Sequence, residues 1–219
     1  MTTFYVFNPD PFGSHDAHMS VYDEPARHGE APRCPKCNRF IGMLPALPPI
    51  RAELELYGHY FGDVAFTGHQ LLVSAKLRDV FIQSQFTGLS DFFPVEVTAV
   101  KSRKRKLRND CPVYFLASIS RSRAAIDTKA SRFEWEGEPN CPECRQGDII
   151  KRWSRILIEP NTWTGEDVFY PRGLSVILVT EKFRDTYLGH GLRNGIFIPA
   201  AEYGHDFYPW ERKSRSASN

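Results

Sequence analysis

The residues best suited to chemistry are cysteines. The chain has five, and four of them form two CxxC pairs, Cys34-Pro-Lys-Cys37 and Cys141-Pro-Glu-Cys144. A CPxC turn sets two thiolates close together with backbone amides aimed at the sulfurs. Two such turns supply the four soft ligands that tetrahedral zinc prefers. One pair alone is a weak signal; two, each with proline after the first cysteine, are a stronger one. Cys37 and Cys141 are 104 positions apart, against roughly 12–20 in a compact finger. So either the two turns meet in space or each stands alone. Three readings compete: a structural zinc site with ligands Cys34, Cys37, Cys141 and Cys144, a redox dithiol, and thiols without metal. The redox reading is the weaker rival, because neither pair follows a strand in a thioredoxin-like βαβ pattern. An odd cysteine count argues against a disulfide framework. Cys111 is unpaired and reads as a small buried thiol.

The elements that must position these turns follow from an internal repeat. Leu72-Val-Ser-Ala-Lys-Leu-Arg-Asp79 matches Leu178-Val-Thr-Glu-Lys-Phe-Arg-Asp185 at an offset of 106, and the cysteine pairs repeat at an offset of 107. Gly29-Glu30 and Gly137-Glu138, Asp63-Val64 and Asp167-Val168, and Pro94 and Pro199 keep the same order, and Tyr5 corresponds loosely to Tyr114. The pattern predicts strands over Gln70–Val73 and Ser175–Val179. Ser74 and Thr180 are helix N-caps. Leu77, Val80 and Phe81 on one helix, and Phe183 and Tyr187 on the other, face the core. Gly88, Gly191 and Gly195 stop the helices, and further strands follow over Phe92–Val97 and Gly195–Ile198. The expected fold class is α+β, with two similar halves of short strands plus a helix, joined by the paired CPxC turns. The boundaries are 1–100 for the first repeat, 101–111 for a basic linker, 112–203 for the second repeat and 204–219 for a polar tail.

Length and composition set outer limits. A chain of 219 residues, 42% hydrophobic and 25% charged, is ordinary for a globular protein. No stretch reaches the roughly 20 apolar residues of a membrane span, and the first residues do not read as a signal peptide, so a cytoplasmic location is expected. Basic and acidic residues number 28 and 26, too balanced to imply a nucleic-acid partner. Six of the eight residues in 101–108 are basic, including Lys104 and Arg105. That strip reads as a solvated linker or charged strand edge before it reads as a phosphate-binding site. The only histidine cluster, His15 and His18, reads as a polar loop. No G-x-S-x-G, P-loop or H-E-x-x-H motif occurs, so the expectation is a protein that is not an enzyme.

The two cysteine turns and the run Val179-Thr-Glu-Lys-Phe-Arg-Asp185, continued by Ile198-Pro-Ala-Ala-Glu-Tyr203, resemble the double-CXXCG motif immunity proteins, a paralogous bacterial family best populated in myxobacteria. The resemblance covers about Tyr5 to Tyr203. It implies a non-catalytic protein that binds and neutralises a cognate protein toxin. The sequence departs from that pattern where Asn38 and Arg145 replace the glycine after each second cysteine. Asn tolerates positive φ, Arg less easily. The partner surface is not legible; Trp163, Tyr170, Tyr208 and Trp210 are candidate exposed aromatic anchors. The alternative function is a zinc-ribbon nucleic-acid binder using residues 101–108.

Overall fold

A computed structural model describes residues 2–9, 19–67, 70–137 and 139–208. His15, His18, His69, Glu138 and Trp210 lie outside the described residues, as do residues 209–219 of the expected tail. The strands are β1 (Phe4–Pro9), β2 (Met19–His28), β3 (Ala46–Leu56), β4 (Val64–Thr67), β5 (Gln70–Ser74), β6 (Leu89–Ser102), β7 (Tyr114–Ala125), β8 (Glu134–Trp135), β9 (Ile150–Trp153), β10 (Val168–Arg172), β11 (Leu178–Thr180), β12 (Gly195–Pro199) and β13 (His205–Asp206). The helices are α1 (Ala75–Gln83) and α2 (Glu181–Gly189). The fold is therefore mixed α/β, mostly strands. The main sheet runs β12-β1-β11-β10-β7-β6-β3-β2, with β5 on β7 and β4 on β5; β13-β9-β8 form a second, smaller sheet.

Local chemistry explains both helices. The Ser74 and Thr180 side chains accept the backbone N–H of Leu77 and Phe183 respectively, satisfying an orphan donor in each first turn. At the C-termini, Gln85 and Gly191 both take left-handed φ, 54° and 61°. The following N–H groups of Phe86 and Leu192 reach back to the Phe81 and Tyr187 carbonyls, a Schellman closure. Gly191 thus plays its expected part. Gly88 and Gly195 do not: Gly88 lies beyond the helix end, where a Cβ would fall 1.8 Å from the Val168 carbonyl oxygen, and Gly195 opens β12 against the Phe7 and Tyr187 rings. Leu77, Val80, Phe81, Phe183 and Tyr187 are all buried in one core with Phe7, Val64 and Val168.

The strand pairings cross between the two matched segments. β1 pairs antiparallel with β11 and β12, while β7 pairs antiparallel with β5 and β6. Tyr5 sits opposite Val179, and Phe115 opposite Val73. The aromatic that occupies the place of Tyr5 is therefore Phe115, one residue beyond the loosely matched Tyr114. The Arg184 guanidinium stacks on Tyr5 and that of Arg78 on Phe115, each at 4.1 Å. The repeated Lys-x-Arg-Asp run is thus a stacking device as well as a charged face.

Two aspartates tie the segments together reciprocally. Asp63 accepts the Ser74 hydroxyl at 2.6 Å and the Arg193 backbone N–H at 2.8 Å, and its own N–H donates to the Arg193 carbonyl. Asp167 accepts the Thr180 hydroxyl at 3.0 Å and the Thr87 backbone N–H at 3.0 Å, and its N–H donates to the Thr87 carbonyl. Asp63 and Ser74 are buried, whereas Asp167 is half-buried. Removing a buried acceptor strands its donors at about 1–3 kcal/mol each. Asp63→Ala is expected to cost about 2–4 kcal/mol and Asp167→Ala about 1 kcal/mol in urea unfolding. Equal, small losses would contradict the latch.

Two sequence boundaries shift. Lys101 and Ser102 belong to β6 rather than to a linker. Within the expected tail, His205–Asp206 form β13 beside β9, and Trp153 packs on the His205 and Phe207 rings. The long strands β2 and β3 had no counterpart among the expected elements, and β6 extends the expected strand Phe92–Val97 at both ends. No described helix is long and apolar enough to cross a membrane.

Candidate metal centre

Each cysteine turn is a tight knuckle closed by its own backbone. Asn38 N–H donates to the Cys34 carbonyl at 2.9 Å, and Arg145 N–H donates to the Cys141 carbonyl at 3.0 Å. Closure needs positive φ after the second cysteine, and Asn38 and Arg145 adopt 59° and 55°. Arg145 thus supplies the geometry that glycine supplies more cheaply. Its side chain offsets part of that strain by pairing with Glu159 and donating to the Ile126 carbonyl.

The two turns meet. The four Sγ atoms all lie within 4.8 Å of one another. Matched cysteines face each other, Cys34 to Cys141 at 3.8 Å and Cys37 to Cys144 at 3.7 Å. Zinc–sulfur bonds of about 2.3 Å in a tetrahedron give edges of about 3.8 Å. A disulfide would bring the sulfurs to about 2.05 Å, and all five cysteines are free thiols. Cys34, Cys141 and Cys144 are buried and Cys37 is exposed. The cluster can hold a metal ion, and its soft, four-sulfur donor set fits a tetrahedral one.

The electrostatics favour anionic sulfur at the first cysteine of each turn. The Cys37 N–H holds the Cys34 thiol below its ordinary range against the upward push of burial, with help from the Lys36 N–H. The Cys144 N–H, again against burial and with the Glu143 N–H, brings Cys141 down to about 6. Burial pushes Cys144 up to about 12. Backbone donors aimed at sulfur are what a metal-thiolate centre needs around it.

Outer residues brace the pair of turns, and sequence reasoning did not find them. Arg39, two positions after the first turn, donates to the Gly147 carbonyl at 2.8 Å and the Gln146 carbonyl at 3.2 Å. Arg172 on β10 donates to the Glu143 carbonyl at 3.3 Å. Nothing local in the sequence marks an arginine as reaching across more than a hundred positions.

The other expected site residues are scattered. Cys111 is exposed rather than buried, because it follows the turn that leaves the sheet after β6. Lys104 and Arg105 are exposed in that turn. Lys101 and Arg103 beside them pair with Glu53 and Glu55 of β3 at 2.6 and 3.0 Å, which neutralises part of the strip. Trp163 is half-buried, edge-on to Phe4, and donates to the Glu166 carbonyl. Tyr208 is half-buried, with its hydroxyl 3.4 Å from Glu136. Tyr170 is not an exposed anchor: β10 lies between β11 and β7, and the residue is 3% exposed.

Fold and site together define a class: a mixed α/β chain, mostly strands, built around a four-cysteine cluster able to hold a metal ion. The chain belongs to the Immunity protein family (Imm11), whose model matches residues 3–202. Among curated proteins none matches the chain.

Proposed function

We propose that this chain is a cytoplasmic, non-catalytic immunity protein that binds and neutralises one cognate toxin domain, and that a single structural zinc on Cys34, Cys37, Cys141 and Cys144 holds its binding surface in shape. Membership of an immunity family over residues 3–202 carries the reading. The paired CPxC turns support a resemblance to the double-CXXCG, myxobacterial-type immunity proteins. Occlusion of a toxin needs a large complementary surface and no catalytic residue. The zinc-ribbon nucleic-acid reading is less favoured, since Glu53 and Glu55 pair with the basic strip.

The same reading includes a duplication. The halves 1–100 and 112–203 are taken as copies of one unit whose first strands, β1 and β7, have changed places. The reciprocal aspartate latches and the facing of matched cysteines support it.

Rescue of growth tests the function. The C-terminal domain encoded by the neighbouring open reading frame is expressed in a bacterial host with and without this chain. The domain is expected to kill alone and to be harmless with this chain, and a pull-down to recover both. Killing that ignores this chain would overturn the reading for that toxin and send the test to salt-dependent nucleic-acid binding, with Lys104 and Arg105 neutralised as the control.

A further inference from the structure

Two cavities share a wall beside the cysteine turns. The smaller, about 180 Å³, is lined by Cys34, Cys144, Arg123 and Arg172. The larger, about 550 Å³, is lined by His28, Glu30, Met43, Leu44 and Gln70. Arg121 and Tyr170 line both. Arg121 leaves β7 and lays its guanidinium over the Tyr170 ring, 5.3 Å from the centroid.

Three observations mark Arg121 as a receptor rather than a scaffold. Burial presses its charge downward, yet no carboxylate among the described residues pairs with it. Arg172 at the same cavity already has Glu143. The backbone also makes room for it: a Cβ on Gly42 would stand 2.2 Å from an Arg121 terminal nitrogen, so glycine there leaves the guanidinium its place. Finally, the rim is apolar and exposed, with Met43 at 59% and Leu44 at 57%. Met, Arg and an aromatic floor are the composition of interface hot spots. An unpaired, partly desolvated guanidinium gains most from a carboxylate, which it can grip through two parallel hydrogen bonds.

We infer that this groove is the toxin-docking site, and that Arg121 receives an aspartate or glutamate side chain of the toxin whose apolar neighbours pack on Met43 and Leu44. The inference rests on the immunity reading for the identity of the partner. Cys34 and Cys144 line the smaller cavity, so the cysteine turns form part of its wall. Glu30 and His28 also line the larger cavity.

The experiment uses the full chain with Arg121→Glu, Arg121→Lys and, as a remote surface control, Lys104→Glu, each checked for metal content and melting temperature. Two probes are used: the toxin domain of the rescue assay, and a displayed library of random dodecapeptides. Arg121→Glu is expected to weaken toxin binding at least about a hundredfold and to abolish rescue. Arg121→Lys is expected to lose less, and Lys104→Glu nothing. Peptides selected on the parent chain are expected to carry an acid beside apolar residues and to ignore the Arg121→Glu protein. If the parent rescues and Arg121→Glu rescues equally well, immunity stands and the groove assignment falls. If the parent does not rescue, immunity fails for that toxin, and the peptides alone judge the groove. If no probe distinguishes Arg121→Glu from the parent, Arg121 receives no acid.

Discussion

Cys141→Ser is expected to lower the unfolding free energy by roughly 3 kcal/mol or more, and chelation of the parent chain to do nearly the same. The reason is topological. Cys34 and Cys141 are 107 positions apart and face each other at 3.8 Å. A covalent link closing a loop of about 100 residues is worth about 4–5 kcal/mol of chain entropy, and a four-thiolate metal makes a comparable link whose binding energy becomes folding energy. Serine offers a hard oxygen in place of a soft sulfur and leaves three ligands. The buried thiols would then keep their desolvation cost without the metal that offsets it. Urea unfolding with and without chelator, beside metal quantification, reads the effect. The two perturbations are expected not to add: chelator shifts the parent midpoint strongly and the Cys141→Ser midpoint hardly at all. Cys111→Ser, on an exposed thiol away from the cluster, is expected to change little. A parent chain that purifies without metal, or that ignores chelator, would remove the structural-zinc reading and return the cluster to plain thiols.

What was legible in the sequence was what short-range chemistry writes. Ser74 and Thr180 cap helices because a hydroxyl there has one useful task. The buried faces Leu77–Val80–Phe81 and Phe183–Tyr187 follow from helical spacing. The four clustered cysteines were legible as a possible metal site because two CPxC turns supply four soft donors. Their convergence stayed open, since spacing says nothing about the path of the chain between them. The pairings of β1 with β11 and of β7 with β5 were not legible either, because a strand's alternation shows that it has a face but not which partner covers its edge. Tyr170 shows the same limit on burial. A tyrosine suits an exposed interface anchor, yet the strand of this one runs between two others. Arg121 escaped notice because its setting comes from a glycine, a turn and a ring that are remote in sequence.

Cutting the chain between Arg105 and Lys106 is expected to give two fragments that fold only together. The cut falls in the exposed turn after β6, so it breaks no buried contact. The first fragment keeps β1 to β6 and the second β7 to β13. Each then lacks the strand that completes its own sheet: β5 and β6 need β7, and β11 and β12 need β1. Alone, the first fragment would bare the edge of Leu71, Leu72 and Val73, all buried in the intact chain, and such edges aggregate. Together the fragments regain the pairings of β1 and β7, both aspartate latches and all four clustered cysteines. Co-expression is expected to yield a one-to-one complex with one zinc, and chelator to weaken it, because the metal takes two ligands from each fragment. The informative rival outcome is a second fragment that folds by itself. Its own β7 would then have entered the place of β1, as the proposed duplication would allow, and the crossed pairing would be a choice of the fused chain rather than a requirement of its sheet. Fragments that stay unfolded when mixed would count against both, since the register of Tyr5 on Val179 and Phe115 on Val73 would then depend on the intact turn rather than on the strands that meet there.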